Sequence, residues 1–583
     1  MSPSPTIGEY HMPQRDRLAP SRRIDRKGPQ ISQPPFESTG RGPATGINGL
    51  VSSGHPLATS AGLAALQAGG NAFDAVVTMA AVIAVVEPSS NHVGGDVFSI
   101  YRAAGQDGLR ALNASGPAPT AANPDVFSRG IPQIGLRSAS VPGAVSAWDT
   151  LATNHCRFDL ARLLQPAIDF AERGFPISHT LSRAITDSRE KLSASATGLA
   201  LFYPGGEPLP PGAILVQTDL ASTLRAIASG GADAFYQGDF AQKLDAWSRD
   251  HDAWMTAADL AAYRCEVGEP IYTNYRGYQI AGQPPVSQGY VLLSQLNIAA
   301  GFDFADTGFG SADTVHTMIE AKKLAFADRH GFLGDPDHID YDMSSLLSEE
   351  FATHRRAAID PAHAANEPSP GNLNDGSDTT VIAAVDADSN AITYIQSLFE
   401  GFGCGVIPNG TGVFLNNRMT GFSLDPAAPN FLQPGKRTVH TLNTYMVLRD
   451  GRPYLLGGTP GGHFQVQTNF QLISNVLDHG MNVQQAIEAP RWGHDELTGV
   501  AGLETRFPPS LSDDLRRRGH AIESYGAWGI PPAPTSSPSI LTTAASWPAP
   551  TPAGTGRRSA TSHRPPHPPR PPPPTKIRVS YRS

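Results

Sequence analysis

The most constraining feature of the sequence is a pair of strand-like segments separated by a short polar turn. Val381–Val385 is an apolar run, and Ala391–Leu398 is again rich in β-branched and aromatic residues. The segment between them, Asp386–Asn390, consists almost entirely of residues that favour turns. This pattern predicts an antiparallel β-hairpin.

The register of the hairpin decides which side chains meet at its open end. With the turn centred on Asp388, Thr379 lies opposite Ser397, and directly paired residues have Cβ atoms about 5 Å apart. Two hydroxyl groups would then lie side by side at the start of a rigid strand. A shift of one residue in the turn would break this pairing. A threonine at a strand start is also an ordinary β-branched residue, so the pair alone does not identify a catalytic site.

Composition and motifs exclude several other classes of protein. The net charge of −9 disfavours a nucleic-acid binder, which is normally basic. Three widely separated cysteines exclude a disulfide framework and a CxxC zinc site. The sequence contains no GxxxxGK[ST], GxSxG or HExxH motif, so nothing indicates a P-loop, a serine-hydrolase elbow or a zincin. We expect no metal and no organic cofactor.

No segment predicts export or a membrane anchor. The basic first thirty residues are not followed by an apolar run of the kind found in secretory signals. The longest apolar stretch, Ala75–Val86, is shorter than the roughly 20 residues that a membrane span needs. We therefore expect a cytoplasmic protein without membrane or nucleic-acid partners.

The pattern along the chain predicts a globular centre with two unusual ends. Residues 1–41 are predicted to be a flexible basic leader, rich in proline, arginine and serine. Ala72–Val86 is apolar on nearly every side, which predicts a buried helix that Glu87 and Pro88 end. Residues 530–583 are predicted to be a proline-rich low-complexity tail. Such an abrupt loss of pattern is what a shifted reading frame would produce, and we hold that as a hypothesis.

A series of distinctive sequence blocks lies between about residues 44 and 492. They include SSGHPLATSAGLAALQAGGNAFDAVV from Ser52, VVEPSSNHVGGD from Val85, SVPGAVSAW from Ser140, LLQPAIDFAERGFPIS from Leu163, NYRGYQIAGQPPVSQG from Asn274, HTMIEAKKLAFADR from His316, DTTVIAAVD from Asp378, GVFLNNRM from Gly412, PGKR from Pro434, TPGGHFQVQ from Thr459 and APRW from Ala489. In this order, the blocks resemble those of the gamma-glutamyltranspeptidase family of N-terminal nucleophile hydrolases.

The resemblance implies an α+β fold, a four-layer αββα sandwich formed jointly by two products of self-cleavage. The precursor would be cut between Asp378 and Thr379. Residues 42–378 would form the large subunit and residues 379–529 the small subunit, and together one composite catalytic domain. The two products would remain associated as an αβ heterodimer or a higher oligomer.

The resemblance also assigns roles to individual residues. Thr379 would be the nucleophile, and its newly formed α-amino group the general base. A threonine hydroxyl needs such a base, and an α-amine with a pKa of about 7.7–8.0 can serve near neutral pH. Ser397 stands where the family has a threonine that hydrogen-bonds the nucleophile. Gly461 and Gly462 match the family's oxyanion-hole glycines, although Pro-Gly-Gly alone would indicate only a turn.

Several substrate-binding positions depart from the pattern of glutathione-cleaving members. Ser115 occupies the position of the arginine that binds the substrate α-carboxylate. Gly421 replaces the acid that binds the α-amino group, and Phe399 replaces an asparagine. His440 and Thr441 replace a pair of serines. An ordinary γ-glutamyl group should therefore be poorly recognised, which favours the acylase-like or amidohydrolase-like branch of the family.

Arg418, in the LNNRM block, supplies a cation that could bind a substrate carboxylate, although a structural arginine is an equal alternative. The sequence thus predicts amide hydrolysis or acyl transfer on γ-glutamyl-like or other carboxylated small-molecule amides. Two alternatives remain: a true glutathione-cleaving γ-glutamyltransferase, and an unprocessed, inactive homologue that serves as a binding or structural protein.

Overall fold

Two β-sheets lie face to face at the centre of the molecule, and a layer of helices covers each outer face. The structure is a computed structural model that describes residues 36, 40–365, 378–530 and 539–542. All of these residues belong to one unit of the chain, which begins at Phe36. Most of the predicted leader and most of the predicted tail lie outside the described residues.

The described residues form sixteen strands. The strands are β1 (Gly49–Ser52), β2 (Asp96–Arg102), β3 (Arg110–Ala114), β4 (Phe175–Pro176), β5 (Ile214–Leu215), β6 (Glu266–Gly268), β7 (Ile271–Tyr275), β8 (Tyr278–Gly282), β9 (Asp378–Asp386), β10 (Ala391–Phe399), β11 (Thr444–Arg449), β12 (Arg452–Gly458), β13 (Trp492–His494), β14 (Val500–Glu504), β15 (Ala521–Tyr525) and β16 (Ser539–Thr542).

Seventeen α-helices accompany these strands in the described part of the chain. The helices are α1 (Pro56–Gln67), α2 (Ala72–Val86), α3 (Ala144–His155), α4 (Leu160–Arg173), α5 (His179–Asp187), α6 (Arg189–Leu192), α7 (Ala196–Phe202), α8 (Thr218–Tyr236), α9 (Asp239–Asp250), α10 (Ala257–Ala262), α11 (Gly289–Ala299), α12 (Phe304–Thr307), α13 (Ala312–Phe332), α14 (Glu349–Arg356), α15 (Phe464–Leu477), α16 (Val483–Glu488) and α17 (Pro509–Arg517).

The first central sheet has six strands in the order β1-β9-β10-β2-β3-β6, and all neighbours are antiparallel. The hairpin predicted from the sequence is its β9–β10 pair. Its register runs from Ala391 opposite Val385 to Gln396 opposite Thr380, which places the turn at Asp388. The predicted hairpin and its register are confirmed up to Thr380, and an irregularity in the pairing follows between Gln396 and Phe399.

The second central sheet has five antiparallel strands in the order β16-β12-β11-β8-β7. Its outermost strand, Ser539–Thr542, pairs with Leu455–Gly458 of β12. These four residues lie in the segment predicted to be a low-complexity tail, for which the sequence analysis predicted no strand. Composition missed the strand because SILT is a short β-prone segment within proline-rich surroundings, and its pairing partner lies far away in the sequence.

Alternation along the strands explains the four layers. On β9, Ala383 and Val385 pack with Met446 and Leu448 of β11 in a cluster between the two sheets. Their neighbours Ile382 and Ala384 face the other way, into the cluster formed with the first helix layer. On β11, Tyr445 and Val447 belong to the cluster of the second helix layer. Alternate side chains of these strands thus point to opposite faces of the sheet, and both faces are buried. This arrangement gives the predicted αββα sandwich.

Helix α2 is the centre of the first helix layer. All fifteen of its residues are buried, as its apolar sequence predicted. Asn71 caps the helix start by accepting from the N–H of Phe73 and Asp74, and Asp74 in turn accepts from the N–H of Asn71. The helix ends at Val86, so that Glu87 leaves it beside the start of β9.

Helices α11, α13 and α15 contribute to the apolar cluster of the second layer. Two smaller sheets lie outside the sandwich: β13, β14 and β15 form one, and β4 and β5 form the other. Within the described residues, no helix combines the length and the apolar character that a membrane crossing requires.

Met446 tests the packing between the two sheets, since its side chain is fully buried there. We expect Met446→Ala to lower the free energy of unfolding by about 2–5 kcal/mol, because a cavity replaces apolar contacts. Leu497→Ala is the control, since Leu497 is 53% exposed, and it should change stability by less than about 0.5 kcal/mol. Urea denaturation measures both, and equal effects would contradict the packing described.

Candidate active site

The open end of the β9–β10 hairpin brings two hydroxyl groups together. Thr379 Oγ1 donates a hydrogen bond to Ser397 Oγ at 3.3 Å, and both residues are buried. Ser397 Oγ also accepts from the backbone N–H of Phe399 at 2.8 Å. The predicted neighbours are therefore in contact, in a setting where neither side chain can easily move.

The irregular end of the hairpin explains how the N–H of Phe399 reaches Ser397. Beyond Gln396 the pairing shifts by one residue, so that Phe399 lies opposite Asp378. Phe399 adopts a left-handed backbone conformation with φ of +86°. This conformation is rare for a large side chain, and such backbone strain is concentrated at functional sites. The Phe399 N–H points to Ser397 Oγ, and the Phe399 ring contacts Arg418, which is described below.

A buried polar network lies beneath the start of β9. Thr380 Oγ1 donates to Glu87 Oε2 at 2.6 Å and accepts from Asn91 Nδ2 at 3.0 Å. Asn91 Oδ1 accepts from Gln396 Nε2 at 3.3 Å. These bonds tie the strand that carries Thr379 to the loop that follows α2. The sequence analysis assigned no role to Glu87 or Asn91, although both lie in the VVEPSSNHVGGD block.

The Gly461–Gly462 turn follows β12, next to the same end of β9. Gly458 lies so close to Val381 that an added Cβ atom would be 3.0 Å from Val381 Cγ1. Gly461 and Gly462 have φ of +117° and +55°, conformations that favour glycine. Among the described residues, their backbone N–H groups have no hydrogen-bond acceptor. The turn therefore carries two backbone donors that no described residue uses.

Gln288 connects this turn to the segment that contains His440 and Thr441. Its Nε2 donates to the carbonyl oxygen of Gly462 at 3.0 Å and also to that of Thr441. Its backbone N–H donates to the carbonyl oxygen of His440 at 2.8 Å. The bonds hold the backbone of both segments and leave the side chains of His440 and Thr441 available for other contacts.

A buried ion pair joins Arg418 to Asp96, and neither side chain is exposed to solvent. Arg418 Nε donates to Asp96 Oδ2 at 3.2 Å, and the guanidinium lies 4.1 Å from the centre of the Phe399 ring. Burial raises the pKa of Asp96 to about 6, although Arg418 opposes this shift. Burial also lowers the pKa of Arg418 to about 10. Burial thus disfavours both charges, and the attraction between the two partners opposes that effect.

The ion pair supplies a hydrogen-bond partner for only one of the three guanidinium nitrogens of Arg418. Its Nη1 and Nη2 have no hydrogen-bond partner among the described residues. A buried donor without a partner costs on the order of 1–3 kcal/mol, and more when it is charged. The Nε of Arg418 is therefore bonded within the protein, and its Nη side faces no protein acceptor in the described part of the chain.

His440 is buried in the same region, with its ring 5.0 Å from that of Phe98. Neither of its ring nitrogens has a partner among the described residues. Burial lowers the pKa of His440 well below 6.5, and the positive charges of Arg418 and Arg437 lower it further. The imidazole is therefore neutral at physiological pH, with one donor and one acceptor nitrogen available.

Position 115 lies beside the ion pair. The N–H and Oγ of Ser115 both donate to Asn113 Oδ1, and the N–H of Gly116 donates to Asp96 Oδ1 at 3.4 Å. Asp96 thus lies close to Ser115, the position at which glutathione-cleaving members of the family have an arginine. The sequence analysis did not single out Asp96. The signal was present, because an ionisable residue in the otherwise small and apolar VGGD segment needs a partner once buried.

Gly421 is buried, and its carbonyl oxygen accepts from Asn430 Nδ2 at 2.7 Å. An added Cβ atom there would lie 3.1 Å from Thr438 Oγ1, so the backbone approaches its neighbours closely.

Glu400, the other acid near Arg418, accepts from Lys191 Nζ at 3.2 Å and from Asn417 Nδ2 at 3.1 Å. Both acids of this region are therefore already paired.

The described residues contain one group of side chains of metal-ligand type. His316, Glu320 and His520 lie together in the second helix layer, not beside Thr379. Glu320 is already paired with Lys323 Nζ at 2.9 Å, and His316 Nδ1 is 2.8 Å from His520 Nε2. These contacts connect the three side chains to one another and to Lys323.

Thr379, Ser397 and the Gly461–Gly462 turn all lie in a region of the chain that matches a family model. The model described as Gamma-glutamyltranspeptidase matches residues 58–534. The chain belongs to the gamma-glutamyltranspeptidase family. It is accordingly an enzyme of the N-terminal nucleophile hydrolase class, with the fold that the resemblance predicted.

Two relatives and one solved structure show the breadth of this family. The chain is 38% identical over 489 residues to a glutathione hydrolase-like YwrD proenzyme of Bacillus subtilis (82% of this chain, 92% of the relative). It is 36% identical over 496 residues to the acylase ACY 1 proenzyme of Pseudomonas sp. strain SE83 (82% and 88%). The cephalosporin acylase structure from Bacillus halodurans matches with a TM-score of 0.80 and 35% identity, over 88% and 99% of the two chains.

Thr380 and Thr393 offer a matched test of the network beneath the strand, since both are buried threonines of the hairpin. We expect Thr380→Val to destabilise the protein by about 1–3 kcal/mol, because Glu87 loses a hydrogen bond inside the protein. Thr393 donates only to a neutral carbonyl, that of Gly457, so Thr393→Val should cost about 0.5–1.5 kcal/mol. Urea denaturation compares the two, and a larger loss for Thr393→Val would argue against the network.

Proposed function

We propose that the chain is the precursor of an N-terminal threonine amidohydrolase or acyltransferase that acts on γ-glutamyl-like or other carboxylated amides. The observation that carries this proposal is the contact of Thr379 with Ser397 at the start of a strand buried in the central sheet. The relatives named as glutathione hydrolase-like and acylase proenzymes support both the amide chemistry and the need for activation.

Activation would begin with Thr379 in the intact chain. Its hydroxyl oxygen attacks the carbonyl carbon of Asp378, and the proton passes to the amide nitrogen as the C–N bond breaks. Water then hydrolyses the resulting ester and releases the carboxylate of Asp378. The new chain begins with the α-amine of Thr379, which was an amide before the cut and could not act as a base.

Turnover would use the same hydroxyl a second time. The α-amine of Thr379 takes the hydroxyl proton while the oxygen attacks the substrate amide, and then passes the proton to the leaving amine. The N–H groups of Gly461 and Gly462 would stabilise the tetrahedral oxyanion. Water, or an acceptor amine, attacks the acyl-enzyme ester and regenerates Thr379. Ser397 holds the hydroxyl in position throughout.

The sheet topology supports a product in which both fragments stay together. In the first sheet, β9 and β10 of the small fragment lie between β1 and β2 of the large one. The second sheet likewise pairs β8 of the large fragment with β11 of the small one. Cleavage before Thr379 breaks none of this pairing, so an αβ heterodimer is the expected product.

Self-cleavage is the direct test. We expect purified wild-type protein to contain two fragments, residues 1–378 and 379–583, the smaller one beginning at Thr379. Thr379→Ala should remain one chain because it lacks the attacking oxygen, whereas Thr379→Ser should cleave more slowly. Denaturing electrophoresis with N-terminal sequencing measures this. An intact wild-type chain would contradict the proposal and favour an unprocessed binding protein.

Ser397 tests the positioning of the nucleophile. Ser397→Ala removes the hydroxyl that accepts from Thr379 and from the Phe399 N–H, so we expect cleavage and turnover to slow by about tenfold. Ser397→Thr keeps that hydroxyl and should restore most of the rate. The time course of fragment formation measures this, and a threonine variant as slow as the alanine variant would argue against a positioning role.

A further inference from the structure

Arg418 is the strongest unexplained feature of the candidate site. It is completely buried, yet only its Nε is bonded, to Asp96 Oδ2. Its Nη1 and Nη2, which point away from that bond in the guanidinium plane, have no partner among the described residues. A planar pair of N–H donors of this kind is the group that binds a carboxylate with two parallel hydrogen bonds.

Contacts within the site place this guanidinium close to the reacting atoms. Arg418 packs 4.1 Å from the centre of the Phe399 ring. The N–H of Phe399 donates to Ser397 Oγ, which lies 3.3 Å from Thr379 Oγ1. Phe399 therefore contacts both the guanidinium, through its ring, and the serine bonded to Thr379, through its N–H.

The same region offers no comparable site for an ammonium group. Gly421 stands where an acid would bind the α-amine, and a neutral His440 lies near the arginine. The two acids near Arg418 within the described residues are Asp96 and Glu400. Asp96 already accepts from Arg418 and Gly116, and Glu400 from Lys191 and Asn417. An ammonium group there would lie near the Arg418 guanidinium, and both of these acids already have partners.

The position of Asp96 explains how such a site can exist without the family arginine. Asp96 accepts from the N–H of Gly116, next to Ser115, and from Arg418 on the other side. A carboxylate at position 96 therefore orients the guanidinium of Arg418, which lies three residues before Gly421 in the chain.

We propose that Arg418, held by Asp96, binds a carboxylate of the acyl group, and that this acyl group carries no α-ammonium. The substrate class is then the monoamide of an unsubstituted dicarboxylic acid, rather than a γ-glutamyl amide. This inference rests on the proposed function, since it concerns the acyl group transferred to Thr379. His440, with one donor and one acceptor nitrogen, lies beside the same carboxylate subsite.

Matched p-nitroanilides test this specificity. Glutaryl and γ-glutamyl p-nitroanilide differ only by the ammonium, and pentanoyl p-nitroanilide has a methyl group in place of the carboxylate. A series from oxalyl to adipyl p-nitroanilide varies the distance between carboxylate and amide. With self-cleaved wild-type protein, we expect the best ω-carboxyacyl anilide to have a kcat/KM on the order of 100-fold above both comparison compounds. Preference for the γ-glutamyl or pentanoyl compound would overturn the inference.

The double variant D96N/R418Q tests the residues themselves. It replaces the ion pair by two neutral amides that can still hydrogen-bond, so no charge is left buried without a partner. We expect the ratio of kcat/KM for the ω-carboxyacyl and pentanoyl anilides to fall on the order of 100-fold. Arg173→Gln, at a side chain that is 76% exposed, is the matched control and should keep the wild-type ratio. An unchanged ratio in the double variant would contradict the assignment.

Calorimetric titration with oxalate, succinate, glutarate and adipate separates this inference from the proposed function. Binding of one diacid to the self-cleaved protein, lost in D96N/R418Q, supports the carboxylate site even if no anilide is hydrolysed. Absence of any diacid binding to self-cleaved protein, together with no turnover of the carboxyacyl anilides, overturns it. Failure of the wild-type chain to cleave itself contradicts the proposed function instead, and diacid binding by that chain still decides the role of Arg418.

Discussion

The β9–β10 hairpin is the element on which both the sandwich and the site depend. Its side chains alternate between the first helix layer and the space between the sheets, so both faces are buried. Its backbone pairs with β1 on one side and with β2 on the other. A strand fixed in this way by packing and by hydrogen bonds has little freedom to shift. Thr379, one residue into β9, shares this rigidity, and a nucleophile needs a fixed position.

The polar groups around this hairpin are exceptions within an apolar core. Thr380, Glu87 and Asn91 satisfy one another, and their network fixes the strand that they surround. The Asp96–Arg418 pair is different, because two fully buried charges share a single hydrogen bond and the guanidinium keeps two unpartnered nitrogens. Stability alone would favour apolar residues at these positions. The arrangement is more easily explained by binding than by folding.

Local patterns were sufficient to predict part of the structure. The hairpin follows from a turn-rich segment between two apolar runs, and the buried helix α2 follows from its apolar sequence. The Thr379–Ser397 contact needed only the register of one turn. These features depend on residues that are near one another in the sequence, where periodicity and turn chemistry carry the information.

Long-range contacts could not be predicted in the same way. Arg418 and Asp96 are separated by 322 residues, and Glu87 and Thr380 by 293. Nothing in the spacing of single residues connects such partners. Strand β16 was missed for the related reason that its place in the sheet is decided by Leu455–Gly458 and not by its proline-rich neighbours. The resemblance to a family supplied the order of the blocks, but it did not show that the VVEPSSNHVGGD and GVFLNNRM blocks meet through this charge pair.

The proposed cut at Thr379 divides the site into two kinds of contribution. The nucleophile, Ser397, the Gly461–Gly462 turn and Arg418 all follow the cut. Glu87, Asn91, Asp96 and Gln288 precede it, and each of them hydrogen-bonds a residue of the small fragment. In the proposed enzyme, the small fragment would contact the substrate, and the large fragment would hold these contact residues in position. The proposal for Arg418 places the substrate-binding cation in the small fragment, at position 418 and not at position 115. Selectivity for the acyl group and attack on it would then depend on the same stretch of chain, from Thr379 to Arg418.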